Sequence, residues 1–303
     1  MYDIIIIGAG PAGLTSAIYG RISNKKVLVL EKETYGGQIL KANKIKNYPG
    51  FEEISGFEFA TKLYDQAKKL NAEIKFEEVI EIKNSAIKEV ITKKNRYQTK
   101  TIIIAAGAKN KELGITGEDK FKGKGVSYCA VCDGNFYKNK IVAVNGGGNS
   151  AIEDALYLSE LCKKVYLIYR QKEFKIDSLN LEKLKNKENV EFILNTNITS
   201  INGDNKLESI TILNNDTKEE KELIIDGLFI AIGHIPLSNI CSELVNIDSK
   251  GYIDASETCK TNINGIFVAG DIRKKEIKQL TTACSDGTVA ALAACKYLIE
   301  NNK

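Results

Sequence analysis

One arrangement of apolar and polar positions occurs twice along the chain. It spans residues 3–31 and again residues 141–170, and each copy has an apolar run, a glycine-rich turn, a helical stretch and a second apolar run. The glycine-rich turns are residues 8–13 and 146–151. Apolar runs joined by a helix are typical of parallel strands buried on both faces of a sheet. The pattern predicts an α/β protein with two strand–helix–strand units.

Further segments extend this picture. Residues 101–108, 227–233 and 265–271 are apolar runs that end in small residues, as buried strands do before a turn. Residues 80–100 have the pattern of short polar strands joined by turns, and an alanine-rich helix is predicted from about residue 282 to 298. These segments favour two Rossmann-like, doubly wound, three-layer domains.

The two glycine turns are candidate nucleotide sites. Glycine allows backbone amides to approach a pyrophosphate, which then lies at the positive end of the following helix. A single turn of this kind is also explained by local backbone geometry. Two copies, each between a strand and a helix, favour two dinucleotide sites.

The residues that close the two second strands differ chemically. Glu31 lies 23 positions after Gly8, where a carboxylate accepts hydrogen bonds from an adenosine ribose. The same offset from Gly146 leads to Tyr169, which Arg170 follows. No acid is present there to repel a ribose 2′-phosphate, and a guanidinium attracts one. The first site thus suits FAD, and the second suits a nicotinamide cofactor that can carry the phosphate.

Cys129 and Cys132 form a CxxC pair between these two sites. Such a pair is a zinc half-site, a redox disulfide or a coincidence. Zinc requires four ligands, whereas the other cysteines are isolated and His234 is the only histidine, so we expect no metal site. The pair precedes or opens a short helix, whose N-terminus lowers a thiol pKa. Asp133 is either a proton donor and acceptor for dithiol exchange or a plain helix cap.

A flavin, a nicotinamide and a CxxC pair together suggest a sequence of events. A hydride passes from the nicotinamide to the flavin, and electrons pass on to the Cys129–Cys132 disulfide. The resulting dithiol reduces an external disulfide by exchange. A flavoprotein disulfide reductase is the predicted function.

Composition excludes several other classes. The chain has 303 residues, 43% of them hydrophobic and 27% charged, which is typical of a globular protein of about two domains. The net charge is +4 and the basic residues are scattered, so we expect no nucleic-acid partner. No apolar run is long enough for a signal peptide or membrane span, so we expect no membrane partner and a cytoplasmic protein. In a reducing compartment the remaining cysteines are expected to be buried free thiols: Cys162, Cys241, Cys259, Cys284 and Cys295.

The chain resembles bacterial thioredoxin reductases of the small, two-domain type over essentially its full length. The resemblance is carried, in order, by residues 8–13, 36–38, 47–51, 129–134, 146–151, 231–236 and 269–271. It implies an FAD domain split into residues 1–112 and 240–303, with a nicotinamide domain inserted at 113–239. It also implies a homodimer that reduces thioredoxin or a thioredoxin-like protein.

The resemblance further implies residue roles. Cys132 is expected next to the flavin, Cys129 toward thioredoxin and Asp133 as the acid–base partner. The implied FAD contacts, with those predicted from the glycine turn, are Gly8, Gly10, Pro11, Ala12, Gly13, Glu31, Gly37, Gln38, Asn47, Ala105, Gly107, Gly270, Asp271, Lys278, Gln279 and Leu280. The corresponding NAD(P)H contacts are Gly146, Gly148, Asn149, Ser150, Arg170, Gln171 and Lys175.

The sequence departs from the family at residues 169–175. Where the family motif reads His-Arg-Arg-x-x-Phe-Arg, this chain has Arg170 but replaces the other arginines by Gln171 and Lys175. Lysine lacks the two-pronged hydrogen bonding of arginine, and each lost charged contact costs roughly 1.5–3 kcal/mol. NADPH is therefore the first expected donor, NADH the second and a ferredoxin-type protein the third. The intact turn at residues 146–151 argues against ferredoxin.

Two other functions remain open from the sequence. One keeps the flavin and disulfide but acts on a different partner, or runs in the opposite direction as a dithiol oxidase. The other is a nucleotide-sensing protein without turnover.

Overall fold

The structure, a computed structural model, describes residues 1–176 and 178–301. The chain forms two units, one of Met1–Lys109 with the segment that begins at Ile235, and one of Asn110–His234. We call them the outer-segment unit and the inserted unit.

The strands, in chain order, are β1 (Tyr2–Ile7), β2 (Val27–Glu31), β3 (Glu73–Phe76), β4 (Val79–Lys83), β5 (Lys88–Thr92), β6 (Arg96–Ile104), β7 (Ala108–Asn110), β8 (Val126–Ser127), β9 (Ile141–Asn145), β10 (Lys164–Ile168), β11 (Val190–Ile193), β12 (Thr196–Asn202), β13 (Ser209–Asn214), β14 (Glu220–Ile224), β15 (Gly227–Ile230), β16 (His234–Pro236) and β17 (Ile266–Val268). The α-helices are α1 (Pro11–Ile22), α2 (Gly56–Lys69), α3 (Glu118–Phe121), α4 (Ala130–Asp133), α5 (Asn149–Ser159), α6 (Leu179–Lys185) and α7 (Leu280–Glu300). Short 3₁₀ helices span Gly37–Lys41, Gly134–Tyr137 and Gly270–Ile272.

The main sheet of the outer-segment unit has the order β3-β2-β1-β6-β5-β4. Strands β3, β2, β1 and β6 are parallel, and β5 and β4 continue the sheet in antiparallel fashion. The last part of β6 pairs in parallel with β17 instead of β5. The carboxyl ends of β1, β6 and β17 therefore meet at one edge of the sheet.

The predicted burial of β1 on both faces is confirmed. Ile4 and Ile6 pack on one side of the sheet with residues of α1, α2 and α7, whereas Ile5 and Ile7 pack on the other side with residues such as Ile253 and Val268. Successive strand residues point to opposite faces, so a strand covered on both sides needs an uninterrupted apolar sequence.

The inserted unit has a fully parallel sheet of order β11-β10-β9-β15-β8. Helices α5 and α6 cover one face through residues such as Ile152 and Leu181. The antiparallel sheet β12-β13-β14 covers the other face with Ile198, Ile210 and Leu223. The predicted α/β class with three-layer units is confirmed, and in this unit strands form the third layer.

Helix α7 begins earlier than the alanine-rich pattern suggested. Gln279 and Thr282 form a reciprocal capping box, in which Thr282 Oγ1 accepts the Gln279 backbone N–H at 3.0 Å. Such caps satisfy N–H groups that the first helical turn leaves unpaired. The helix consequently starts at Leu280 rather than at about residue 282.

The cysteines outside the CxxC pair are all buried free thiols, as expected from the sequence. Their pKa values are raised, chiefly by burial, for example to about 11 for Cys162 and about 12 for Cys241. Among the described residues, no helix is both long and apolar enough to cross a membrane. The described part of the chain also contains no group of three His, Cys, Asp or Glu side chains that suits a metal ion.

Asp154 on α5 carries a carboxyl group whose pKa is raised to about 6, first by burial and then by the neighbouring Glu153 carboxylate. The pKa of Asp154 in the folded protein thus exceeds the value of about 3.9 in the unfolded chain. Between these two pH values the folded protein keeps a proton that the unfolded chain has released. This contribution to stability is present below about pH 4 and is lost as the pH rises through 6.

We therefore expect Asp154→Asn to raise the free energy of unfolding by about 1–3 kcal/mol near pH 7.5, because the amide has no charge to desolvate. Near pH 3.5 the two proteins should be equally stable. Urea denaturation at both pH values measures the difference. Glu153→Gln, at an exposed neighbouring position, is the control and should have a smaller effect. A stabilisation of the same size at both pH values would contradict the assignment.

Candidate active site

The first glycine turn lies where β1 ends and α1 begins. A Cβ on Gly8 would lie 2.4 Å from the Ala105 carbonyl oxygen, and one on Gly13 would lie 1.9 Å from the Gly8 carbonyl oxygen. Gly8 also has a positive φ of 108°. Only glycine allows these approaches, which bring the start of α1 against the ends of β1 and β6.

Gly10 differs from its neighbours because it faces open space. A Cβ at this position has no atom within 4 Å, and the φ of −73° is allowed for any residue. Gly37 lies beside it, with its own Cβ position 3.5 Å from Gly10 Cα. The open glycine at the N-terminus of a 12-residue helix is the geometry that a pyrophosphate requires.

Glu31 at the end of β2 is held beside this turn. Its Oε2 accepts the Ala9 N–H at 2.9 Å, and its Oε1 accepts the Glu33 N–H at 3.1 Å. Both bonds fix the carboxylate at the position where a ribose is recognised. The cradle around Gly10 and this carboxylate fit the adenosine pyrophosphate part of FAD.

The Gly270–Asp271 turn packs directly on α1. Gly270 has a φ of 80°, and its Cβ position is 2.8 Å from Ala12 Cβ. The buried Asp286 carboxylate holds this turn, since it accepts the Gly270 N–H at 3.0 Å. It also accepts bonds from Arg273 and Lys275, each at 3.0–3.1 Å. This buried ionic network was not predicted, although the three basic residues that follow the Gly-Asp turn, Arg273, Lys274 and Lys275, were a usable signal.

The remaining predicted FAD contacts all lie in the same unit. Asn47 Nδ2 donates to Gln279 Oε1 at 3.3 Å, which brings two distant segments together. Lys278 Nζ donates to the Lys275 carbonyl at 2.7 Å. The others lie at element ends or in turns around the carboxyl edge of the sheet: Pro11 and Leu280 open α1 and α7, Ala105 and Gly107 follow β6, and Gln38 lies in the 3₁₀ helix after β2.

The second glycine turn repeats the first in the inserted unit. A Cβ on Gly146 would lie 2.4 Å from the Ala231 carbonyl oxygen, and one on Gly147 would lie 2.2 Å from the Tyr169 ring. Gly148 has no atom within 4 Å of its Cβ position. Asn149 and Ser150, also exposed, begin the 11-residue helix α5. The free helix N-terminus fits a dinucleotide pyrophosphate.

The predicted phosphate segment follows β10 in the same unit. Arg170 and Lys175 are exposed, and Gln171 is half-buried. Lys172 forms an ion pair with Asp216 at 2.7 Å. Tyr169 stacks on Phe174, with ring centroids 5.3 Å apart, and fills the space beside the glycine turn. The segment thus presents fewer uncommitted cations to a 2′-phosphate than its number of basic residues suggests.

Cys129 and Cys132 form a disulfide at the N-terminus of α4. Cys129 caps this helix, because its Sγ accepts the Cys132 backbone N–H at 3.2 Å. Helix α4 has only four residues, so its dipole is small. The direct hydrogen bond from the Cys132 N–H therefore stabilises a thiolate on Cys129 more than the helix dipole does. Cys129 is half-buried and Cys132 is exposed.

The Asp133 carboxyl group does not cap the helix, so its alternative role as a plain helix cap is excluded. Its Oδ2 accepts a hydrogen bond from Ser127 Oγ at 2.6 Å. Burial raises the pKa of Asp133, and the Ser127 hydrogen bond partly opposes the increase. A carboxyl group near the disulfide with a raised pKa suits proton exchange with thiols.

A second carboxylate anchors Tyr128, the residue directly before the first cysteine. Glu118 is buried and accepts the Tyr128 hydroxyl at 2.6 Å as well as the backbone N–H groups of Leu113 and Gly114. Gly134, on the other side of the pair, packs on Tyr157, 2.9 Å from its Cβ position. The CxxC segment is therefore held at both ends.

Comparison with known proteins identifies the family. The profile of pyridine nucleotide-disulphide oxidoreductases matches residues 2–287. This chain belongs to that family. The thioredoxin reductase of Bacillus subtilis (strain 168) is 40% identical over 302 residues, which cover 99% of this chain and 96% of that protein. The predicted resemblance is confirmed.

Solved structures agree. The thioredoxin reductase from Streptococcus pyogenes MGAS5005 matches with a TM-score of 0.95 and 38% identity, and covers 99% of both chains. A ferredoxin-flavin thioredoxin reductase from Clostridium acetobutylicum matches with a TM-score of 0.55 and 33% identity, over 99% of this chain and 98% of that one. The name of the Clostridium acetobutylicum relative thus includes ferredoxin, whereas the names of the other two relatives specify no electron donor.

The structure groups the predicted site residues into two sets. The set predicted for FAD lies in the outer-segment unit, whereas the nicotinamide set and the three catalytic candidates lie in the inserted unit. Ser127 and Glu118 were not predicted. Ser127 lies two residues before Cys129 at the end of a strand, and that placement was the signal available.

Two glycine substitutions test the first turn. Gly13→Ala should prevent correct folding of the outer-segment unit, because its Cβ would overlap the Gly8 carbonyl. Gly10→Ala should fold, because its methyl group would contact no other protein atom. It should bind FAD at least tenfold more weakly, because the methyl group would occupy the space proposed for the pyrophosphate. Circular dichroism and flavin content after dialysis measure both effects. Full FAD affinity in Gly10→Ala would contradict a pyrophosphate at this turn.

Proposed function

We propose that this chain is an NAD(P)H-dependent thioredoxin reductase that uses FAD. The observation that carries the proposal is the Cys129–Cys132 disulfide beside the half-buried Asp133, in the unit that also contains the second nucleotide-type glycine turn. Thioredoxin as the partner is supported by the names of the full-length relatives. Thioredoxin or a thioredoxin-like protein is the disulfide substrate.

Residues 1–112 and 240–303 form the FAD domain in this proposal, and residues 113–239 form the nicotinamide domain. The open Gly10, the Glu31 carboxylate and the Gly270–Asp271 turn support the first assignment. The open Gly148 at the start of α5 supports the second. Bound FAD supplies a two-electron relay between a nicotinamide and a disulfide.

The chain's own residues carry out the exchange. Once the disulfide is reduced, the Cys132 N–H stabilises a thiolate on Cys129, which attacks one sulfur of the external disulfide. Cys132 then displaces the substrate, and the Cys129–Cys132 bond forms again. Asp133 accepts a thiol proton and returns it to the leaving thiolate. Overall, NAD(P)H, a proton and one disulfide give NAD(P)⁺ and two thiols.

Residues 169–175 support the proposed electron donor. Arg170 and Lys175 supply positive charge for a 2′-phosphate, whereas Gln171 is neutral and Lys172 is paired with Asp216. NADPH is the first donor and NADH the second, with a smaller preference than two further arginines would give.

A ferredoxin-type donor is the third candidate, and the match to the ferredoxin-flavin enzyme favours it. The open glycine turn at Gly148 favours a nicotinamide donor over a ferredoxin, because it fits a dinucleotide pyrophosphate. Anaerobic titration of the oxidised protein with NADPH, NADH and reduced ferredoxin decides between them. The true donor bleaches the flavin absorbance at stoichiometric amounts, and a protein that no donor bleaches is not a reductase. Vigorous oxygen consumption with dithiols, without thioredoxin reduction, would instead indicate a dithiol oxidase.

The protein acts as a homodimer in the cytoplasm in this proposal. The family resemblance supports the dimer, and sedimentation or gel filtration measures it. The buried free thiols support a reducing compartment, because such thiols persist there unpaired.

Cys132→Ser is expected to abolish thioredoxin reduction while FAD remains bound, because no internal disulfide can form. Cys129→Ser should give the same loss. Cys162→Ala removes a buried thiol of the same unit and should retain turnover. Coupled thioredoxin assays and flavin absorbance measure both properties, and turnover that persists in Cys132→Ser would refute the mechanism.

Gln171→Arg is expected to lower the KM for NADPH about tenfold, since one charged phosphate contact contributes roughly 1.5 kcal/mol. The KM for NADH should change less than about twofold, because NADH has no 2′-phosphate. Asn205→Arg adds the same charge in the exposed turn between β12 and β13 and is the control. Equal effects on both nucleotides would show that residue 171 does not face the phosphate.

A further inference from the structure

The hydroxyl group of Ser127 connects the two chemical parts of the redox centre. Ser127 is buried, with 5% of its surface exposed, and ends β8 two residues before Cys129. Its Oγ lies 2.6 Å from Asp133 Oδ2 and accepts the backbone N–H of Cys129 at 3.1 Å. One side chain therefore contacts both the acid and the backbone of a redox cysteine.

These contacts give the hydroxyl one orientation. A serine hydroxyl has a single proton to donate and lone pairs that accept. The Cys129 N–H is itself a donor, so Ser127 accepts there. The Cys129 carbonyl oxygen is a weaker acceptor for the proton, at 3.4 Å, than the Asp133 carboxylate at 2.6 Å. Within the described residues, Ser127 is the only side chain that hydrogen-bonds to Asp133.

We propose that Ser127 is a positioning residue of the redox centre, which fixes the Asp133 carboxyl group against the backbone of Cys129 so that the exchanging thiols have one proton partner in one place. The inference rests on the acid–base role proposed for Asp133. In each exchange two protein thiols become a disulfide and the external disulfide becomes two thiols. Asp133 takes up one of the protons that move between them and delivers it.

The surroundings of Asp133 contain few other charges. Tyr137 lies near enough on the following 3₁₀ helix for Asp133 and Asp226 to raise its pKa, after the larger effect of burial, to about 12. It is therefore neutral at physiological pH. Helix α5, packed against the same segment at Gly134, contributes the titratable residues Glu153, Asp154 and Tyr157. The pKa of Asp133 is raised by burial and lowered in part by the Ser127 hydrogen bond, and none of these three residues contributes to the shift.

Loss of the Ser127 hydroxyl changes the pKa of Asp133 in a known direction. The hydrogen bond favours the ionised carboxylate, so its removal raises the pKa of Asp133 further. Ionised Asp133 is the form that accepts a thiol proton. The rate of thiol exchange should consequently rise with pH through the Asp133 pKa, and in Ser127→Ala this rise should occur about one pH unit higher.

The test uses the reduced holoprotein without donor or thioredoxin. Dithionite reduces the disulfide anaerobically, the protein is desalted, and its reaction with dithiobis-nitrobenzoate is followed across the pH range. The buried cysteines should react slowly, and a Cys129→Ser/Cys132→Ser variant measures their background. The variants compared are Ser127→Ala, Ser127→Gly, Ser127→Thr and Asp133→Asn, with flavin content and thermal melting as folding controls.

The wild-type profile should contain an ascending step that Asp133→Asn lacks. Ser127→Ala and Ser127→Gly should shift this step up by about one pH unit, with roughly tenfold slower reaction below it. Ser127→Thr, which keeps the hydroxyl, should restore the wild-type position. An unshifted step in either hydroxyl-free variant that folds, or a shift of equal size in Ser127→Thr, would overturn the proposal. So would a wild-type step that persists in Asp133→Asn.

Turnover with NAD(P)H and thioredoxin, measured on the same preparations, separates the two levels of inference. A chain that shows the shifted step but reduces no thioredoxin refutes the proposed partner and leaves the role of Ser127 intact. A chain that reduces thioredoxin but shows no shift refutes the role of Ser127 and leaves the reductase function intact.

Discussion

The arrangement of the outer-segment unit depends on the close approach of backbone atoms at the first glycine turn. Gly8 and Gly13 lie where any side chain would overlap a carbonyl oxygen, so the end of β1, the end of β6 and the start of α1 meet at backbone distance. This contact fixes the direction of the α1 N-terminus and leaves Gly10 open. The inserted unit repeats the solution at Gly146 against Ala231. Both candidate nucleotide sites are thus consequences of missing Cβ atoms.

The redox centre is organised by hydrogen bonds rather than by a helix dipole. Carboxylates hold the two residues where β8 ends, because Glu118 accepts the Tyr128 hydroxyl and Asp133 accepts the Ser127 hydroxyl. The cysteines follow on a single turn of helix, where the Cys132 N–H points at Cys129 Sγ. Buried hydrogen bonds of this kind are stronger in a low dielectric and fix side-chain positions. The unequal environments of the two sulfurs follow from this fixed geometry.

Much of this could be predicted from sequence because it is encoded locally. Particular residues at neighbouring positions are required by fully apolar strands, by glycines at fixed offsets and by a CxxC pair. Such features can therefore be recognised in the sequence alone. The Ser127–Asp133 bond and the Asp286 network could not be predicted in the same way. Asp286 binds Gly270 from 16 positions away on another element, and only tertiary packing brings them together. The sequence predicted a third layer in the inserted unit but not that strands form it, since short polar strands carry a weak signal.

The burial of the remaining cysteines has a consequence for chemical selectivity. A protein that passes electrons through thiols is exposed to the same exchange reaction at every accessible sulfur it carries. Here Cys162, Cys241, Cys259, Cys284 and Cys295 are enclosed and their pKa values are raised, so they are neither reachable nor ionised at physiological pH. The reducing equivalents can leave only through the Cys129–Cys132 pair. The buried thiols therefore do not form incorrect disulfides within the chain while the redox pair exchanges with an external disulfide.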